Sequence, residues 1–362
     1  MPKQNKRFVV ITFRASREPV EDMFWAEAEY DGAWTNVTRL DRVKTRREIL
    51  ERIGELDSAI IGIDAPFGFP KPFIDLIAKE GITGDWKQVA LKIREDLKKN
   101  TEDGIKLWVE KMGRYRESDL ETEEEASWRD TRPVQNRSGR RFQEPRAPHE
   151  FLSKAERFRR IDQIVKRISN TGIESTLGIR YNKLTSRYDF LDSEAQGRRA
   201  LMCMSLLSQL VEQHPEVSIW PFMQPAKVTV AEIAPALFPK PPKPQELAAF
   251  FDKQEDNALF VDKAVKDIIG SNKTAMNALF CLLGIISAER RENKTVRPLR
   301  DYRENFYENE LVKTEGWTYG IGYKDPVKND APPAKEKKVH IAPAAQQAPI
   351  VEEEVVTESV AS

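Results

Sequence analysis

Cysteine, histidine and long apolar runs are what this chain has least of. Two cysteines and three histidines in 362 residues exclude a disulfide framework and a zinc motif of clustered Cys and His ligands. His149, His214 and His340 are widely scattered, and neither a nucleophile elbow nor a P-loop is present. Cys203 and Cys281 each fall in an apolar helical pattern, so both are expected as buried thiols in a reducing compartment. No segment reaches the roughly 18 apolar residues of a membrane-spanning helix, so no membrane partner is expected. Met1 to Arg7 is basic but leads straight into an apolar run without a signal-peptide core, and a cytoplasmic location is expected. Net charge is missing too. Lys plus Arg and Asp plus Glu both number 58, so no global field recruits nucleic acid, and a basic surface requires local segregation of charge.

What is present is a core, with 40% hydrophobic residues, and a pattern of α/β type. Phe8 to Phe13, Met23 to Tyr30 and Trp34 to Leu40 read as strands, the last two joined by an Asp31-Gly32 hairpin. Thr45 to Leu56 carries a helical stripe, and Ile60 to Ile63 is a short β-branched run ended by Asp64-Ala65-Pro66-Phe67-Gly68-Phe69-Pro70. Three strands, a helix and a strand returning parallel to the first form the opening of an RNase-H-like fold. Asp64 then lies outside the carboxyl end of an interior strand, where α/β proteins meet metals and polar ligands; capping the Pro-Gly turn is the other use of an Asp there.

Residues 71–190 turn charged and read as a helical, loop-rich insertion. An acidic block, Glu121 to Glu125, precedes an Arg-rich stretch that includes Arg137, Arg140 and Arg141, and Arg157, Arg159, Arg160, Lys166 and Arg167 follow on a helix. Guanidinium forks suit phosphates and interleaved Phe142, Phe151 and Phe158 suit bases, which marks a candidate nucleic-acid contact. The same charges could instead be a solvated face paired with the acidic block. The core pattern resumes with a helix at Arg199 to Val211, a strand at Val217 to Trp220, and the strand Val228 to Ile233, which places Glu232 near a strand end. A carboxylate on a central strand needs a partner, and a basic residue such as Arg180 or Arg198 is a candidate. Ser271 to Arg290 reads as an apolar helix capped by Ser271. Residues 324–362 are rich in Pro, Ala, Lys and Glu, and a disordered tail is expected.

Taken in order, Asp64 to Pro70, Ile219-Trp220-Pro221-Phe222, Val230 to Pro235, Ala275 to Cys281 and Glu315-Gly316-Trp317-Thr318-Tyr319-Gly320 form a set. The set resembles the family catalogued as domain of unknown function 429, regarded as RNase-H-like nucleases, over most of residues 8–323. The resemblance implies a mixed five-stranded sheet flanked by helices, with strand-end carboxylates holding Mg²⁺ or Mn²⁺ for phosphodiester cleavage. Asp64 and Glu232 are then the metal ligands. The family's first strand ends in an Asp, and its last helix carries two Asp three residues apart; the matching positions here are Thr12, Thr274 and Asn277. Glu27, Glu29 and Asp267 are possible displaced ligands. With neutral residues at the matching positions, the expectation is a degenerate nuclease that binds nucleic acid or a protein partner. The alternative is an active metal-dependent phosphodiesterase built on Asp64 and Glu232.

Overall fold

The computed structural model describes residues 6–114 and 159–321, apart from 17, 79–80, 83–84, 100, 170–179, 183–186, 190–195, 239–241, 243–245, 248, 252–258 and 292–295. Arg137, Arg140, Arg141, the Glu121 to Glu125 block and the 324–362 tail lie outside the described residues. The protein is an α/β structure with a mixed seven-stranded sheet flanked by helices.

The first three strands, β1 (Lys6–Ile11), β2 (Phe24–Tyr30) and β3 (Thr35–Arg42), form an antiparallel meander. Its hairpin is the expected one: Gly32 takes φ 101°, and the Asp31 carboxylate accepts from the amides of Ala33 and Trp34, both at 2.8 Å. Helix α1 (Arg46–Gly54) begins on Thr45, whose hydroxyl accepts from Glu48 N. It carries the chain to β4 (Ala59–Ile63), which runs parallel beside β1 with Ile11 opposite Ile63.

Four helices follow: α2 (Lys71–Ala78), α3 (Trp86–Lys99), α4 (Thr101–Arg114) and α5 (Arg160–Ser169). After them come a small hairpin, β5 (Arg180–Asn182) with β6 (Arg187–Asp189), and helix α6 (Gln196–Gln213). Strands β7 (Val217–Trp220) and β8 (Val228–Glu232) add in parallel to the far side of β4. A short strand, β9 (Leu259–Val261), then joins the opposite edge beside β3. The sheet order is therefore β7-β8-β4-β1-β2-β3-β9, two strands wider than expected. Both additions lie at the edges, so the expected neighbours in the middle are unchanged.

Strand pleating divides the core. Val9 and Ile11 of β1 point to one face, where α1, α2, α3, α4 and α6 pack; Phe8 and Val10 point to the other. The second face is covered by α7 (Lys263–Ser271), α8 (Lys273–Glu289), α9 (Glu304–Glu308) and α10 (Glu310–Glu315). The stretch read as an inserted region contributes to this interior, with Phe73, Ile77, Ile93 and Trp108 fully buried in the same cluster as β1 and β4. Cys203 on α6 and Cys281 on α8 are buried free thiols whose pKa values burial pushes up. Ser271 is not the cap it was expected to be. It closes α7, donating to the carbonyls of Asp267 and Ile268, and Asn272 caps α8 by accepting from Thr274 N and Ala275 N. Asn is among the strongest N-cap residues, so the apolar run breaks into two helices at that point.

Candidate functional site

Strands β1, β4 and β8 are parallel, so their carboxyl ends open on one side of the sheet. Asp64 and Glu232 both reach that side. Glu232 is the residue opposite Ile63 in the ladder, and Asp64 follows Ile63 directly, donating its amide to Ile11 O at 3.0 Å. Between the Asp64 turn, the Ile233–Ala236 segment and the start of α5 lies a cavity of about 140 Å³, lined in part by Asp64, Pro66, Arg159, Asp162, Glu232 and Thr318. Drug-sized ligands occupy cavities from about 300 Å³ upward, so this one suits water or a small ion.

Glu232 is 4% exposed and fully bonded. Its Oε1 accepts from Arg159 Nη2 at 2.7 Å and from the Thr318 hydroxyl at 2.8 Å. Its Oε2 accepts from Arg159 Nη1 at 2.6 Å and from Phe67 N at 2.8 Å. A carboxylate offers about four lone-pair positions, and here all are taken by protein donors. Arg159 turns its remaining edge to Asp162, through Nη2 to Oδ1 at 2.7 Å and Nε to Oδ2 at 3.1 Å. One guanidinium thus bridges two carboxylates, and all three side chains are buried. Burial opposes the Arg159 charge, but Asp162 and Glu232 hold its pKa well above the ordinary value. Burial pushes the Asp162 pKa up, with Arg159 countering it.

The node is completed by Glu315 at the end of α10. Its Oε1 accepts from Lys71 N at 2.7 Å and its Oε2 from Arg160 N at 2.6 Å, so one side chain caps the first turns of both α2 and α5. Burial outweighs those donors and raises its pKa to about 7. Gly68 explains how the turn approaches so closely: a Cβ there would meet Glu315 O at 2.5 Å. Thr318 bridges to Glu232, and Tyr319 N donates to Glu232 O at 2.8 Å. Three of the five sequence motifs, around Asp64, Glu232 and Glu315, therefore meet at one place.

Asp64 has a different setting. Its side chain is 18% exposed and lies 3.0 Å from Arg199 Nη2 and 3.8 Å from Arg14 Nη1; Arg199 also donates to the Asp64 carbonyl. The three positions matched to family acids carry no charge, and Thr12 follows directly on Ile11, whose carbonyl accepts from Asp64 N. The Thr12 hydroxyl accepts from Phe24 N at 2.9 Å, Thr274 donates to Asp22 Oδ2 at 2.6 Å, and Asn277 is half-buried on α8. Glu27 and Glu29 pair with Arg7, toward the amino end of β1.

No family model, curated protein or solved structure matches the chain.

A divalent metal is a poor fit for the residues present. Mg²⁺ needs several free hard-oxygen ligands, yet Glu232 has no free lone pair and Asp64 faces two guanidinium groups. Among the described residues, no three His, Cys, Asp or Glu are placed to share an ion. Arg159 belongs to the arginine run read either as a candidate phosphate contact or as a solvated face; at 1% exposure, clasped by two acids, it is a buried counter-charge. A basic residue from the 71–190 stretch, Arg159, does pair with Glu232. Arg198 bonds Ala15 O and Glu102, and the Arg180 side chain lies outside the described residues. Arg159 and Asp162, three apart in sequence, carried a local signal as a helical ion pair. Arg199, Thr318 and Glu315 carried none, because their partners are distant in the chain.

Proposed function

We propose that this chain is an RNase-H-like protein in which the strand-end acids of the nuclease family it resembles have become internal ion-pair partners, and that it works by binding rather than by phosphodiester cleavage. The strand order β8-β4-β1-β2-β3, with β2 alone reversed, agrees with an RNase-H-like core. The observation that carries the reading is the Arg159–Glu232 clasp, with contacts of 2.6 and 2.7 Å. A guanidinium holding the acid that should ligate metal repels a dication and uses the oxygens the ion would need.

Nucleic acid is the partner that Arg137, Arg140 and Arg141 suit. Its binding should weaken steeply with salt and in the triple alanine variant, and a protein partner is the reading if anisotropy titration finds neither effect. No described helix is long and apolar enough to cross a membrane, and the buried thiols agree with a cytoplasmic setting.

The deciding experiment incubates the protein with Mg²⁺ or Mn²⁺ and single-stranded DNA, duplex DNA, RNA or an RNA–DNA hybrid. Cleavage no greater than that of Asp64→Ala is the expected result. Metal-dependent cleavage that disappears in Asp64→Ala overturns the proposal in favour of an active phosphodiesterase with Asp64 and Glu232 as ligands. The 18% exposure of the Asp64 side chain favours that second reading, which requires Arg159 and Arg199 to move aside.

A further inference from the structure

We infer that Arg159 is a tethered cation standing between Glu232 and Asp162, where a divalent ion would have to sit to use either acid, so that this one side chain closes that part of the edge to metal. The inference rests on the proposal of a non-cleaving RNase-H-like core and identifies what blocks its metal site. Its basis is geometric. The guanidinium reaches two carboxylates at once, binding Glu232 through both Nη atoms and Asp162 through Nε and Nη2, and bridging two acids is what a shared dication does. It comes from residue 159, at the head of α5, outside the strands that carry Asp64 and Glu232. The side chain is 2% exposed. Glu315 is close by, its backbone carbonyl 3.4 Å from Arg159 Nη1.

Without the guanidinium, Glu232 and Asp162 would face each other across the adjacent cavity of about 140 Å³, enlarged by the lost side chain. Like charges in a buried space demand a counter-ion or a proton, and a dication would meet the carboxylates of Glu232, Asp162 and Asp64, the Thr318 hydroxyl and the Gln196 amide in an otherwise apolar lining. Glu232 would regain free lone pairs on both oxygens, while Thr318 and the Phe67 amide would still orient it.

The test is calorimetric titration with Mn²⁺ of the full chain as wild type, Arg159→Ala and Arg159→Ala/Glu232→Gln, with melting temperature followed with and without Mn²⁺. Arg159→Ala is expected to bind Mn²⁺ about tenfold or more tightly than wild type or the double variant, a margin of the size that ligand-shell changes produce, and to melt higher when Mn²⁺ is present. A folded Arg159→Ala that binds no better than wild type overturns the inference while leaving the non-cleaving reading intact. Mn²⁺ binding by wild type that Glu232→Gln abolishes overturns both. Should Arg159→Ala be unfolded without added cation, Arg159→Met, which keeps the apolar stem, replaces it; if that too is unfolded, refolding on addition of Mn²⁺ is the expected result. Failure of Mn²⁺ to refold it, while guanidinium ion at low concentration does, overturns the inference, since the site then accepts only the organic cation.

Discussion

The sheet carries Arg–Glu pairs at two places, and they differ in nearly everything except chemistry. Toward the amino end of β1, Arg7 meets Glu27 at 3.3 Å and Glu29 at 3.2 Å, with side chains 37%, 13% and 34% exposed. At the carboxyl edge, Arg159 meets Glu232 at 2.6 Å with side chains 2% and 5% exposed. Bulk water competes for the first set and scarcely reaches the second. An exposed pair adds little to stability, whereas breaking a buried pair strands a charge. The lesson concerns function as much as stability. Acids that could serve chemistry are, in the buried set, consumed by structure: β8, the 65–68 turn, the Glu315–Tyr319 segment and the start of α5 all meet on Glu232 and its neighbours.

The largest expected effect comes from leaving one buried charge alone. Glu232→Ala should cost about 3–5 kcal/mol in denaturant unfolding, and a loss below about 1 kcal/mol would place the pair in the same class as that of Arg7. Glu315 offers a pH test of the same node. Its folded pKa, about 7, lies above the unfolded value of 4.5, so the folded form holds a proton that the unfolded form has released. Stability from this group is therefore present below the unfolded value and is lost as pH rises through about 7. The wild-type advantage over Glu315→Gln should fall by roughly 3 kcal/mol between about pH 4 and about pH 8; a flat difference would show that Glu315 is not held in this environment. Gly68→Ala drives a Cβ onto Glu315 backbone, 2.5 Å from its carbonyl oxygen, and should cost about 1–3 kcal/mol by thermal or chemical unfolding. Arg7→Ala is the smallest, at about 0–1 kcal/mol and shrinking further with added salt. A larger, salt-insensitive loss would erase the contrast between the two ends of the sheet.

Much of the architecture was readable in advance because it follows local rules. The parallel return beside β1 follows from the order of elements under the rules of chain connection, and the alternating β1–β3 meander, the Asp31-Gly32 hairpin and the β4 run each depend on neighbours in sequence. So do the strand-end positions of Asp64 and Glu232. The edge strand β9 went unread because three residues, Leu259–Val261, give too short a pattern, and the α7–α8 break because Asn272 interrupts a run whose apolar face continues. The site's partners were harder. Arg159 sits among so many arginines that solvent and phosphate were its natural readings, and its burial depends on acids 3 and 73 positions away. Glu315 caps helices that begin at Lys71 and Arg160, a contact with no periodicity to reveal it. Sequence periodicity reports which face of an element is buried; it is silent on which charges meet once distant elements converge.

The direct measurement is a double-mutant cycle on Arg159→Met and Glu232→Gln, read as unfolding free energies of wild type, the two single variants and the pair. If the edge acids are internal ion-pair partners, the cycle should return a favourable coupling of about 2 kcal/mol or more, within the range for residues in one network. A coupling near zero, with both single variants folded and close to wild type in stability, would mean that Glu232 does not depend on Arg159 and is free to serve as a ligand.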